Sequence, residues 1–138
     1  MIAVNELRIG NWVAIPECAI RSKILGICPE KYRIDNTDID LDDCDVWFEP
    51  ESIEPIPLTP EILEKCGFVC ENANEDDRYY HLRLSNEKYC DLSFIIGDKN
   101  GFTEVCLFPY ENVFRYQYLH QIQNIYFCLC GEELKINL

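Results

Sequence analysis

Residues 55–67 read Pro55-Ile56-Pro57-Leu58-Thr59-Pro60-Glu61-Ile62-Leu63-Glu64-Lys65-Cys66-Gly67, and their chemistry divides the chain. Thr59 offers a capping hydroxyl, Pro60 fills the first helical position, where its missing N–H costs nothing, and Glu61 favours the positive end of the helix dipole. Gly67 is the stop signal. The spacing therefore predicts a helix of about two turns over Pro60–Cys66, with Ile62, Leu63 and Cys66 available for packing. With prolines at 50, 55, 57 and 60, this stretch is the best boundary between halves, so two parts are expected, 1–57 and 58–138.

On the N-terminal side the signals are those of short strands. Arg8-Ile9-Gly10-Asn11-Trp12-Val13-Ala14-Ile15 reads as a turn followed by an apolar run ending at Pro16, and Ser22–Ile27 repeats the pattern. Tyr32, Ile34, Ile39 and Leu41 alternate with Arg33, Asp35, Asp38, Asp40 and Asp42, the period of half-buried strands with one wet face. Val46-Trp47-Phe48 and Ser52–Ile56 complete a set of four or five strands, predicting a small SH3-like β-barrel over 1–57.

On the C-terminal side, strands are predicted at Gly67–Cys70, Tyr79–Leu84, Tyr89–Ile96 and Phe102–Phe108, with Asp98-Lys99-Asn100-Gly101 as a hairpin turn and polar Glu71–Asp77 as a loop. A final helix is predicted over Leu119–Cys130, stopped by Gly131. Leu119, Ile122, Ile125, Tyr126 and Leu129 share one face at helical spacing, so the helix is expected to lie across the second, antiparallel sheet. The fold class is α+β.

The chain has 138 residues, 48% of them hydrophobic, with 25 carboxylates against 12 cations and a formal net charge of −13. That apolar content excludes a disordered chain, and the charge repels phosphate backbones, so no direct nucleic-acid partner is expected. The start, Met1-Ile2-Ala3-Val4-Asn5-Glu6, lacks the basic region of a signal peptide, and no apolar stretch is long enough for a membrane span. Nine cysteines, an odd count without an export signal, fit reduced thiols in a cytoplasmic protein.

Against this acidity one segment stands out. From Tyr116 to Gly131, sixteen consecutive residues carry no charge. His120, Gln121, Gln123, Asn124, Phe127 and Cys128 occupy the face where a solvated helix would display Lys and Glu. Two explanations are open: burial beneath the N-terminal half or a strand, or a contact face for a protein partner or a homodimer. On the second, His120, Gln121, Gln123, Asn124 and Phe127 are the interface candidates.

Two blocks bear a likeness to known sequences. Asn5-Glu6-Leu7-Arg8-Ile9-Gly10-Asn11-Trp12-Val13 resembles the N-E-L-R-I-G-N-x-V opening of small uncharacterised proteins of gut Bacteroidales and their phages or prophages. His120-Gln121-Ile122-Gln123-Asn124-Ile125-Tyr126-Phe127, followed by Gly131-Glu132-Glu133-Leu134, is similar to their H-Q-L-Q-N-L-Y-F and T-G-E-E-L ending, and Pro55–Thr59 also matches. Cys130 stands where that family has Thr. The resemblance implies a bacterial cytoplasm as the setting and carries no catalytic residue.

Chemical motifs are few. Asp38, Asp40, Asp42 and Glu49 match positions 1, 3, 5 and 12 of an EF-hand loop, but Asp43 replaces the turn glycine and Asp45 the expected apolar residue. Cys66 and Cys70 have zinc-ligand spacing without a neighbouring histidine, while Cys128 and Cys130 point roughly 200° apart on a helix. Only His81 and His120 are present as imidazole bases, and no nucleophile-elbow, zincin or phosphate-loop motif accompanies them. No metal and no cofactor is expected.

The residues favour a non-enzymatic protein-binding or accessory role. An acidic DNA mimic that occupies the basic groove of a nucleic-acid-binding protein is the alternative that uses the charge. A small-molecule enzyme or sensor, with a pocket lined by a histidine or a thiol, is the third.

Overall fold

The computed structural model describes residues 2, 4–28, 31–35, 46–73, 77–84, 91–97, 102–108, 112–115 and 117–138. The hairpin signal at 98–101 and the aspartates at 38, 40 and 42 lie outside them. The architecture is α+β, in two compact units: Met1–Ile56 with Tyr118–Asn124, and Pro57–Gln117 with Ile125–Leu138. No helix among the described residues is long and apolar enough to cross a membrane.

The first unit holds an antiparallel sheet of β1 (Trp12–Ile15), β2 (Ile20–Cys28), β3 (Lys31–Ile34) and β4 (Trp47–Phe48), in that order. Alternation sends Val13, Ile15, Ile24, Tyr32 and Ile34 inward, where Ile2, Leu7 and Ile53 complete the core. β2 changes register between Ile24 and Gly26, so the extra residue, Leu25, bends the strand at a bulge. Beyond β1, Glu54 and Ala14 exchange two backbone hydrogen bonds of 2.9 Å, leaving Ser52–Ile56 as an isolated bridge rather than a full strand. Among the described residues no pairing joins β4 to Glu54, so the sheet is open there.

The second unit holds a five-stranded antiparallel meander: β5 (Val69–Ala73), β6 (Asp77–Arg83), β7 (Asp91–Gly97), β8 (Phe102–Phe108) and β9 (Asn112–Arg115). β5 and β6 run further into Glu71–Asp77 than the expected loop, because backbone pairing of Glu71 with Tyr79 and Ala73 with Arg78 extends the hairpin into polar residues. Sequence alternation carries no mark of β9, which exists through its pairing with β8.

Helix α1 (Pro60–Lys65) begins and ends as its sequence dictates. Thr59 Oγ1 accepts from the Ile62 N–H at 3.3 Å. At the other end Gly67, at φ +85°, lets its own N–H reach the Glu64 carbonyl and that of Phe68 reach Leu63, a Schellman closure with Leu63 and Phe68 both buried.

Helix α2 (Leu119–Cys130) has its expected bounds. Its residues 119–124 belong to the first unit and 125–130 to the second. The apolar stripe is also incomplete: Leu119 and Ile122 are buried, yet so are His120 and Gln123, while Leu129 is 41% exposed. Specific hydrogen bonds to the N-terminal turn, invisible to apolar spacing, account for the buried polar residues.

Candidate functional site

Arg8-Ile9-Gly10-Asn11 forms a tight turn in which the Asn11 N–H donates to the Arg8 carbonyl at 3.1 Å. Gly10 sits at φ +94°, the left-handed region a type II turn requires at its third position. The Asn11 carboxamide oxygen accepts from the Arg8 N–H at 2.8 Å, and Ile24 on β2 bonds to both Gly10 and Asn11.

The start of α2 docks on this turn. Gln123 accepts from the Trp12 N–H at 2.8 Å through Oε1 and donates from Nε2 to the Gly10 carbonyl at 3.1 Å. Asn124 donates to the Glu6 carbonyl at 2.7 Å and accepts from Asn11 Nδ2 at 2.9 Å. Arg8 donates to the Gln123 carbonyl at 3.2 Å. The N-terminal turn and the start of α2, far apart in the chain, thus pack within one unit.

His120 is 1% exposed and stacks on Tyr118, with ring centroids 5.9 Å apart. Its Nε2 lies 3.4 Å from Glu6 Oε2, whereas Nδ1 is buried with no hydrogen-bond partner. Burial pushes its pKa below the usual histidine value, and the Glu6 carboxylate opposes that shift in part. With one nitrogen turned to Glu6 and the other enclosed, the ring is not presented to a substrate as a general base must be.

Of the other candidates, Gln121 turns back to accept from the Tyr118 N–H at 3.2 Å, capping the helix start. Phe127 is 39% exposed, on the half of α2 that belongs to the second unit. The structure thus gathers His120, Gln123 and Asn124 around the N-terminal residues, with Phe127 in the second unit.

Of the two cysteines with zinc-ligand spacing, Cys66 is buried, its thiol pKa pushed up to about 12 by burial, while Cys70 is exposed. His81 lies 3.6 Å from Glu71 across the β5–β6 pair. Among the described residues no group of three or more Cys, His, Asp or Glu is placed to hold a metal ion.

The net acidity of the whole chain conceals one contrast between its two sheets. The four strands of the first sheet contain Arg21, Lys23, Lys31 and Arg33 and no carboxylate at all. By contrast, the five strands of the second sheet hold four acids and three Lys or Arg. Arg21, Lys23 and Lys31 are exposed, and the Lys23 ammonium stands 5.5 Å over the Trp12 ring opposite it on β1.

Gly26, Arg33 and Trp47 form a row across β2, β3 and β4. The Trp47 indole reaches across β3 to β2, its Cη2 at 3.5 Å from where a Cβ on Gly26 would lie, an ordinary contact distance. Trp47 and Leu25 are each 41% exposed. Carboxylates stand beside the cations of this sheet: Glu54 pairs with Ala14 on β1, and the Asp35 N–H donates to the Lys23 carbonyl at 2.8 Å. Counting charge strand by strand is the signal that reveals this face.

No protein-family model matches the chain, nor does any curated protein or solved structure.

Proposed function

We propose that the chain is a non-enzymatic protein-binding module, an accessory protein of a bacterium or its phage acting in the cytoplasm, whose first unit is an SH3-like barrel. The order Glu54–β1–β2–β3–β4, with β2 bent at its bulge, supports the barrel: it is the order of a five-stranded meander whose last strand returns beside the first.

The observation that carries the binding reading is the exposure of Trp47 and Leu25 on the outer side of this sheet. Tryptophan is among the side chains most enriched at interface hot spots. The polar residues of α2, in contrast, spend their hydrogen bonds inside the first unit.

The test is affinity capture from the native host with the wild-type chain and with Trp47→Ala. A discrete partner retained by the first and lost by the second is the expected result. Equal recovery by both, or no partner at all, overturns the reading.

A further inference from the structure

The start of α2 is bonded to the N-terminal residues by polar groups, and one member of that contact can take a proton. We propose that His120 is a proton-operated latch: charging it opens the contact between residues 118–124 and the N-terminal turn, while the strands of the first sheet stay paired.

The neutral ring carries one N–H. With the proton on Nε2, His120 donates to the Glu6 carboxylate at 3.4 Å and Nδ1 is an enclosed acceptor. A second proton goes on Nδ1, where a charged N–H is shut in without an acceptor. At 1% exposure the ring cannot turn that N–H to water. The charged group facing the ring is Glu6, at the end of the one-turn 3-10 helix Val4–Glu6, and its side chain is 48% exposed, so water screens much of its pull. Tyr118 stacks on the ring with the two planes 11° apart. Arg8, which bonds the Gln123 carbonyl at 3.2 Å, already brings a cation to this contact, and a second one is disfavoured beside it. In the open form the ring meets water and protonates in its ordinary range, so acid favours opening.

The extent of opening is set by the bonds that share the helix start with His120. Gln123 and Asn124 hold the Trp12 N–H, the Gly10 and Glu6 carbonyls and the Asn11 carboxamide, and these groups lose their partners together. The Ala14 N–H, two residues further along β1, bonds instead to the Glu54 carbonyl at 2.9 Å, independently of α2. Two amides of one strand edge therefore report different events: Trp12 the release of α2, Ala14 the loss of the sheet itself. Leu119 and Ile122, each 0% exposed, keep the open form a minor one at neutral pH. Below pH 6.5, each pH unit down to the folded value multiplies its population by up to about tenfold.

The experiment is amide hydrogen exchange of the full chain, followed by NMR between about pH 7.5 and about pH 5.5, with protection taken against each amide's intrinsic rate at that pH. The expected result is a fall of about three- to tenfold in the protection of Trp12 relative to Ala14. His120→Gln should flatten that dependence, and Glu6→Gln should steepen it. The other imidazole, His81, lies in the second unit and stays in place in both variants. The comparison of the two amides in wild type needs no variant to fold. Trp12 protection that does not change with pH, a parallel fall at Trp12 and Ala14, or the same dependence in folded His120→Gln overturns the proposal.

Discussion

The Gln123 side chain accepts the Trp12 N–H at 2.8 Å while donating to the Gly10 carbonyl at 3.1 Å. It satisfies these two backbone groups as a strand neighbour would, from a helix more than a hundred residues away. Gln123→Ala leaves both without their partner next to a buried position, where each unmet group costs about 1–3 kcal/mol. We expect urea denaturation to show a loss of about 2–4 kcal/mol. Gln123→Glu is expected to be no rescue, since a carboxylate cannot donate to Gly10 and its charge would be buried.

Gly10 is the second lever on the same contact. Its φ of +94° strains any side chain, so Gly10→Ala is expected to cost about 1–2 kcal/mol. Because the turn presents the Gly10 carbonyl to Gln123, the double variant with Gln123→Ala should be less destabilised than the sum of the two.

Acidification should loosen the seat of α2. Burial lowers the folded pKa of His120 below its ordinary 6.5, so below that pH the unfolded chain binds a proton that the folded chain resists. This contribution to stability is complete above pH 6.5 and falls as pH drops toward the folded value. Denaturation compared at pH 7.5 and about pH 5.5 should show a smaller acid-linked loss in His120→Gln than in wild type. Glu6→Gln should enlarge the loss, because it removes the carboxylate that favours the cation.

Tyr32 carries a hydroxyl buried in the first core with no hydrogen-bond partner, and desolvation raises its pKa above 10.0. Tyr32→Phe removes an unmet polar group at constant shape and is expected to be neutral or to stabilise by about 1 kcal/mol. The folded state favours the neutral phenol, so wild type should lose stability above about pH 10 by an amount absent from the variant; thermal unfolding across that range reads both effects.

Thiol reactivity should separate by burial. Maleimide labelling followed by peptide mapping is expected to modify Cys18, Cys70 and Cys128 quickly and Cys66 only on unfolding, since burial holds Cys66 as the neutral thiol. Rapid modification of native Cys66 would contradict its placement in the core.

Local chemistry made much of this molecule legible. Thr59, Pro60 and Gly67 place α1 through interactions within a few residues of each other, and Gly131 at φ +69° ends α2 with a bond from its N–H to the Phe127 carbonyl. Phe102–Phe108 is a strand in sequence and in structure because its apolar run coincides with its pairing. The same logic falls short at Glu71–Ala73, which is polar yet paired, and at β9, where a partner strand supplies what composition does not signal.

What the sequence by itself determined is therefore the set of elements written in capping residues, turn glycines and periodic burial, together with the acidity and the charge-free stretch from Tyr116 to Gly131. Only the tertiary structure decided why that stretch is neutral around its start. His120 and Gln123 are buried because Glu6, Gly10 and Trp12 meet them there, and a charged side chain in either place would have to shed its water. Pairing of β2 with β3 also sets Lys31 and Arg33 on the strand beside Arg21 and Lys23, cations that the sequence already holds close together, because register is fixed between strands rather than within one.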